Sequence, residues 1–175
     1  MEPTVTPAAT PSSVGIRYGL IIGVVSAILS VIQLSLFEDP ETPFRWVGAI
    51  VAIVGIVLAH KKFKELNHGF MSYGQGLGIG TIVSAVGGLV SSVFSYLYMT
   101  FINPEYMTRV MELQRAKMEA KGLDDAQIDQ ALGMAQKFSG GPMIIVFGLI
   151  GAVFMGFIIS LIISAFTKNT RPEFE

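Results

Sequence analysis

The chain has 175 residues, of which 51% are hydrophobic and 14% are charged, and it contains no cysteine. Because a soluble domain carries about 25% charged residues, this composition favours a membrane protein. The net charge of −1 provides no basic field for nucleic acid, and the lack of cysteine excludes disulfides, thiolate metal sites and cysteine nucleophiles. Residues 1–14, rich in proline, threonine and serine, are expected to form a disordered tail.

Four apolar runs are long enough to cross a bilayer, which requires roughly 20 mainly apolar residues. The predicted spans lie at about residues 16–37, 44–60, 74–101 and 143–166. The first run is too long for the apolar region of a secretory signal, so we interpret it as a retained span. The predicted fold is all-α: a four-helix transmembrane bundle forming a single membrane domain over residues 15–168, with a tail at 169–175.

Small residues recur at helical spacing on the first two spans, and such spacing lets helix backbones approach closely in lipid. They are Gly15, Gly19, Gly23 and Ala27 in span one, a GxxxG-type pattern, and Gly48, Ala52, Gly55 and Ala59 in span two. The spacing in span two matches that of span three, so these two spans are expected to pair in antiparallel fashion.

Basic residues close the second span. The segment from Lys61 to Tyr73 fits a short interfacial segment on an anionic membrane surface, but we favour a stop-transfer basic cluster that only sets orientation. His60, Glu65 and His68 occur here, but their intervals do not match a zinc helix motif. They are expected to form a solvated face, and no metal site is predicted.

The third span is expected to be the central helix, because residues 71–102 contain no Asp, Glu, Lys, Arg or His. One of its sides carries small residues that include Gly74, Gly78, Ala85 and Gly88, and these are predicted to pack against other helices. The bulky residues, predicted to face lipid, are Ile79, Val83, Val86, Val90, Val93 and Leu97.

A polar insertion between spans three and four is predicted to form a helical hairpin outside the membrane, over residues 104–138. Asn103 suits the cap of its first helix, and Gly122 suits the end of that helix. Asp124 and Gln127 form a variant capping box that opens its second helix. The mixed charges of the hairpin fit either a docking face for another protein or a solvated cap on the bundle.

The fourth span carries small residues at every fourth position, from Gly148 to Ser164. Span one has the same spacing, which makes spans one and four candidate partners. The helix-packing residues predicted for the bundle are Gly74, Gly78, Ala85, Gly88, Gly148, Ala152 and Gly156.

Three segments resemble motifs of a bacterial membrane-protein family, the domain-of-unknown-function family 4199. They are NHGFMSYGQ at 67–75, FINPEYMTRVMELQ at 101–114 and EAKGLDDAQIDQALGMAQKF at 119–138. Asp124 stands where the family pattern leads us to expect serine, a chemically equivalent cap. The resemblance implies four spans, a charged hairpin before the last span and a bacterial inner membrane. It implies no reaction, because the family has no established activity.

The spans contain no catalytic constellation, cofactor motif or metal-ligand set, so the sequence predicts a protein that is not an enzyme. The polar residues available to line a path are Gln33, Ser84, Ser91 and Ser160. Interhelical hydrogen bonding is the alternative role for these side chains.

Two functions follow as hypotheses. The first is an assembly or accessory subunit that forms homo-oligomers, or docks on another membrane protein, through its small-residue faces and its hairpin. The alternative is a small dimeric transporter or channel for an unidentified solute. Lys61, Lys62, Lys64 and Lys168 stand close to span ends, which favours both termini in the cytoplasm and the hairpin outside.

Overall fold

The computed structural model describes residues 9–37, 39, 41–139 and 141–171, and this part of the chain is helical throughout its regular structure. The helices are α1 Pro11–Leu36, α2 Arg45–Leu66, α3 Tyr73–Leu97, α4 Tyr106–Ala120, α5 Asp125–Ser139 and α6 Met143–Thr167, with a π-helical segment Tyr98–Ile102 after α3. By length and composition, α1, α2, α6 and α3 with its π-helical extension could each cross a membrane. The predicted all-α class with four spans is therefore confirmed.

Two helix boundaries differ from the prediction. Helix α1 begins at Pro11 because the Thr10 hydroxyl accepts a hydrogen bond of 3.1 Å from the Ser13 backbone N–H, and proline suits a first helical turn. Residues 11–14 are therefore helical, while residues 1–8 and 172–175 of the two predicted tails lie outside the described residues. Helix α2 continues to Leu66, so residues 61–66 of the basic segment after span two are helical.

Helices α1 and α3 run parallel and pack through a row of glycines. A Cβ atom added to Gly15 would lie 2.8 Å from Ile82, and one added to Gly19 would lie 2.7 Å from Val86. The prediction that the bulky side of α3 faces lipid is wrong, because Ile79 and Val83 are buried. The missing side chains of the α1 glycines leave a groove, and the branched side chains of α3 fill it.

Helices α3 and α6 run antiparallel and pack through small residues on both partners. The facing pairs are Gly76 with Ser164, Gly80 with Ser160, Ser84 with Gly156, Gly88 with Ala152, and Ser92 with Gly148. Among the described residues, α1 and α6 have almost no contact, so the predicted pairing of spans one and four is wrong. Helix α3 lies between them. One of its sides packs branched side chains into the groove of α1, and the other side packs small residues against α6.

The predicted helix-packing residues divide into two groups. Gly88, Gly148, Ala152 and Gly156 all lie in the seam between α3 and α6. Gly74 and Gly78 do not pack against the described residues of other helices, because a Cβ atom added at either position would meet none of them within 4 Å. Ala85 is half-buried on α3.

Helix α2 is held along only one half of its length. Its buried residues are Gly55, Ile56, Ala59, His60 and Phe63, all in the C-terminal half. The N-terminal half, from Arg45 to Val54, has no buried residue. The expected pairing of spans two and three is thus limited to the end of α2 that follows Gly55.

Helices α4 and α5 form the predicted hairpin. The Asp124 carboxylate accepts a hydrogen bond of 2.8 Å from the Gln127 backbone N–H, and Gly122 has a φ of +79° at the turn. Asn103 is not the helix cap, because α4 begins after Glu105. The Asn103 side-chain oxygen instead accepts a hydrogen bond of 2.8 Å from the Arg109 guanidinium. The hairpin therefore has the predicted two helices, but the first of them begins at Tyr106 rather than directly after Asn103.

The bundle has two distinct ends. The basic end carries Lys61, Lys62 and Lys64 at the close of α2 and Lys168 after α6, and both described chain ends lie there. The hairpin end carries the α1–α2 turn and helices α4 and α5. Only between 11% and 28% of the most apolar window of each span is buried, so most of the apolar surface requires lipid or a partner to cover it.

Candidate functional site

A cavity of about 370 Å³ lies between the four spans, on the hairpin side of the bundle centre. The N-terminal half of α2, which has no buried residue, supplies part of its wall, and much of the wall is glycine and alanine. A Cβ atom added at Gly48 or Gly151 would meet nothing within 4 Å, so these positions leave open space. The small wall residues are Gly48, Ala49, Ala52, Gly87, Gly88, Gly151, Ala152 and Gly156.

Polar groups converge on this cavity from α1 and α3. Of the four polar residues singled out from the sequence, Gln33, Ser84 and Ser91 line it. The Ser91 hydroxyl lies 3.3 Å from the Ser30 hydroxyl, and the Ser84 hydroxyl is buried without a hydrogen-bond partner among the described residues. Ser26 also lines the cavity, and the rest of the wall formed by described residues is apolar and carries no charged side chain, so the cavity presents a few neutral hydrogen-bonding groups to a mainly apolar space.

Ser160, the fourth residue singled out, lies elsewhere. It is fully buried in the seam between α3 and α6, opposite Gly80. Its hydroxyl has no hydrogen-bond partner among the described residues. It therefore belongs to helix packing rather than to the cavity wall.

The hairpin-side end of the cavity is bordered by the α1–α2 turn. The rings of Phe37 and Phe44 stack with their centroids 5.4 Å apart. The Lys117 ammonium on α4 donates to Asp39 at 2.8 Å and to Glu41 at 3.1 Å, which ties the hairpin to this turn. The hydrogen bond from Lys117 lowers the pKa of Asp39, and the same bond raises the pKa of Lys117.

A second polar site, which the sequence analysis missed, lies toward the basic end. His60 is fully buried, not part of a solvated face as expected. Its Nε2 atom lies 2.8 Å from the Gly76 carbonyl oxygen on α3, and its Nδ1 atom lies 2.8 Å from the Thr167 hydroxyl on α6. The imidazole thus joins three of the four spans.

A signal for this burial is present in the sequence. Ile56, Ala59, His60 and Phe63 stand at relative positions 0, 3, 4 and 7, which places them on one face of a helix. The three adjacent lysines obscured this face, because they suggested that the span ends at His60. In the structure α2 continues to Leu66, and the lysine side chains project from faces of this helix other than the buried one.

The chain after α6 covers this site. Met71 and Asn169 exchange two backbone hydrogen bonds of 2.8 Å, and the Asn169 side chain donates to the Gly69 carbonyl at 3.0 Å. The Lys64 ammonium donates to the Thr167 carbonyl at 3.2 Å. These contacts hold the C-terminal end of α6 against the turn between α2 and α3.

Within the described part of the chain, no group of three His, Asp or Glu side chains is arranged to hold a metal ion. Comparison with known families adds one match. A family model described as "Protein of unknown function (DUF4199)" matches residues 17–169. No curated protein and no solved structure matches the chain.

Proposed function

We propose that this chain, which belongs to the DUF4199 family of proteins of unknown function, is a non-enzymatic membrane protein that carries a small neutral solute through its bundle. The observation that supports this proposal is the uncharged cavity between the four spans. Its volume of about 370 Å³ is within the range of small-molecule sites, roughly 300–1,000 Å³. The protein would then be a small transporter or channel.

The cavity wall indicates the chemical class of the solute. An ion would lose its hydration without gaining a countercharge, because none of the described residues that line the cavity is charged. A neutral molecule with an apolar body and one or two hydrogen-bonding groups fits the amide of Gln33 and the hydroxyls of Ser30 and Ser91. The solute class is therefore small, neutral and mainly apolar.

The packing of α2 supports a route for this solute. The half of α2 that borders the cavity has no buried residue, whereas the half after Gly55 is anchored on α1, α3 and α6. Movement of the free half would open the cavity toward the hairpin end. The family resemblance favours a bacterial inner membrane. The basic residues at the opposite end, Lys61, Lys62, Lys64 and Lys168, favour both termini in the cytoplasm, which would make this opening external.

Flux through proteoliposomes tests the proposal. Liposomes of phosphatidylethanolamine and phosphatidylglycerol, with and without protein, are exposed to glycerol, urea or short neutral alcohols, and volume change is followed by stopped-flow light scattering. At least one solute is expected to enter faster with protein present. Gly48→Phe or Gly151→Phe fills the cavity and should abolish that flux.

Matched controls lie next to both positions. Ile50 and Ile150 are 58% and 57% exposed on the same two helices, so Ile50→Phe and Ile150→Phe add an aromatic ring outside the cavity. These variants should retain the flux. Absence of protein-dependent entry for every solute, or entry that survives both cavity-filling variants, would overturn the proposal.

A second candidate, an assembly or accessory subunit, is favoured by a different observation. Gly74 and Gly78 stand four apart on α3, where an added Cβ would meet no described residue within 4 Å, and they offer a close-approach face to a second copy or another membrane protein. The exposed Met134 and Phe138 of α5 offer a separate apolar patch at the hairpin end.

Size measurement in native detergent tests this second candidate. Gly78→Leu should convert an oligomer to a folded monomer. Leu89→Ala, a change at a 44% exposed position of the same helix, serves as the control and should leave the oligomer intact. A wild-type protein that is already monomeric and carries no stoichiometric partner from native membranes would exclude this candidate.

A further inference from the structure

The hydrogen bonds around His60 accommodate two protonation states. A carbonyl oxygen only accepts, so the 2.8 Å contact with the Gly76 carbonyl requires a hydrogen on Nε2. The other nitrogen, Nδ1, faces the Thr167 hydroxyl at 2.8 Å. That hydroxyl also lies 2.8 Å from the Ile163 carbonyl oxygen.

The single hydroxyl proton of Thr167 can serve either neighbour. When His60 is neutral, the hydroxyl donates to Nδ1. When Nδ1 carries a proton, Nδ1–H donates to the Thr167 oxygen and the hydroxyl turns to donate to the Ile163 carbonyl. Every polar atom keeps a partner in both states, and the change requires only rotation of one hydroxyl group.

The charges around His60 are few. On its own helix the nearby charge is the Lys64 ammonium, which is held at the Thr167 carbonyl. Helix α3 carries no titratable groups besides Tyr73 and Tyr96, α6 carries none, and Lys168 follows α6. The C-terminal end of α6, with the negative end of its dipole, adjoins the imidazole through Thr167.

The geometry points to His60 as a proton-binding site whose protonation alters the packing of α2 against α3 and α6. Nδ1 takes the proton from water through its lone pair, and the imidazole becomes a cation at the junction of these three helices. His60 stands on the anchored half of α2, next to Ile56 and Phe63, while the other half of α2 borders the cavity. If α2 moves during transport, a claim that rests on the proposed function, proton uptake at His60 couples to solute movement.

Proton binding itself is testable without any solute. The chain contains two histidines, so His68→Gln leaves His60 as the sole imidazole. Ring ¹⁵N shifts of this variant, labelled at histidine and embedded in nanodiscs, are followed from pH 8 to pH 5, the window in which an unperturbed imidazole changes charge. His60 is expected to pass reversibly from the Nε2–H form to the doubly protonated form.

Two variants of Thr167 distinguish this site from a merely buried histidine. Thr167→Val removes both the donor to neutral Nδ1 and the acceptor for Nδ1–H. Because the hydrogen bond from the charged ring is the stronger of the two, the midpoint of proton uptake is expected to fall by about half to one pH unit. Thr167→Ser keeps the hydroxyl and should leave the midpoint nearly unchanged. A His60 spectrum that is constant across the range, or a valine variant that titrates like the parent, would overturn the proposal.

Coupling is measured in the proteoliposomes by adding a pH gradient to the solute gradient. The gradient is expected to change the entry rate of the transported solute, and His60→Gln is expected to remove that dependence while downhill entry persists. Entry that ignores the gradient would overturn the coupling. Absence of entry combined with a normal His60 titration would overturn the transport function and leave the proton site standing.

Discussion

Gly80 on α3 faces Ser160 on α6 so closely that a Cβ atom at residue 80 would lie 2.8 Å from the Ser160 Cβ and overlap its hydroxyl. Both residues are fully buried, and Ile56 of α2 lies 3.1 Å from the same Cβ position. The closest approach of three spans therefore depends on the absence of one side chain.

Gly80→Ala is expected to destabilise the bundle by about 1–3 kcal/mol, because the added methyl group forces α3 and α6 apart. Thermal unfolding in detergent measures the loss. Gly78→Ala on the same helix meets nothing within 4 Å and should be neutral or slightly stabilising. Combining Gly80→Ala with Ser160→Gly should recover part of the loss, and strict additivity of the two changes would contradict the close contact.

Gly156→Leu should prevent folding rather than dissociate an oligomer. Residue 156 is buried against Ser84 in the seam between α3 and α6, and that seam lies within one chain. The expected result is loss of the monodisperse peak by size-exclusion chromatography and of cooperative unfolding. Gly151→Leu is the matched control on α6, since its Cβ would meet open space. A folded, smaller species of Gly156→Leu would place the seam between chains instead.

The contact between Lys117 and Asp39 has a defined pH window. The pKa of Asp39 is below its ordinary value of 3.8, so the contribution of its charged form is present above that value and is lost as the pH falls through the folded pKa. The pKa of Lys117 is above 10.5, so its contribution is present below that value and is lost as the pH rises through the folded pKa. The contact should therefore persist throughout the interval between these two values.

Lys117→Gln is expected to return the pKa of Asp39 toward 3.8, because the hydrogen bond from the ammonium is the largest cause of the shift. Carboxyl ¹³C shifts of labelled Asp39 provide the measurement. Lys121→Gln, at the end of the same helix, removes an equal charge without touching the turn. An Asp39 titration that is the same in parent and Lys117→Gln protein would show that α4 does not hold the α1–α2 turn.

Single cysteines at residues 61 and 137 should label from opposite sides of the bilayer. Lys61 lies on α2 at the basic end, and Lys137 lies at the end of α5 on the hairpin end. The chain has no native cysteine, so each reporter is unique. A membrane-impermeant maleimide applied to sealed vesicles, before and after permeabilisation, reads the side. Labelling of both positions from one side would refute the four-span arrangement.

The sequence by itself determined the class of the fold, the number of spans and the plan of the hairpin. These features depend on local patterns: runs of apolar residues long enough for a bilayer, and the capping box at Asp124 and Gln127 that starts α5. It also singled out Gln33, Ser84, Ser91 and Ser160 as polar groups at membrane depth, of which the first three line the cavity and Ser160 does not. The sequence of one helix shows which of its faces carries small residues, because residue spacing determines which side chains share a face.

Only the tertiary structure decided which faces meet. The spacing of Gly15 and Gly19 predicts contact with small residues of another helix, but in the structure the branched side chains of α3 pack against them. Helix α6 pairs with α3 rather than with α1. Several small-residue ridges on four helices are mutually compatible, so the choice depends on how all helices pack at once. The cavity beside α2 and the burial of His60 follow from that choice, since each requires side chains from at least three helices to converge.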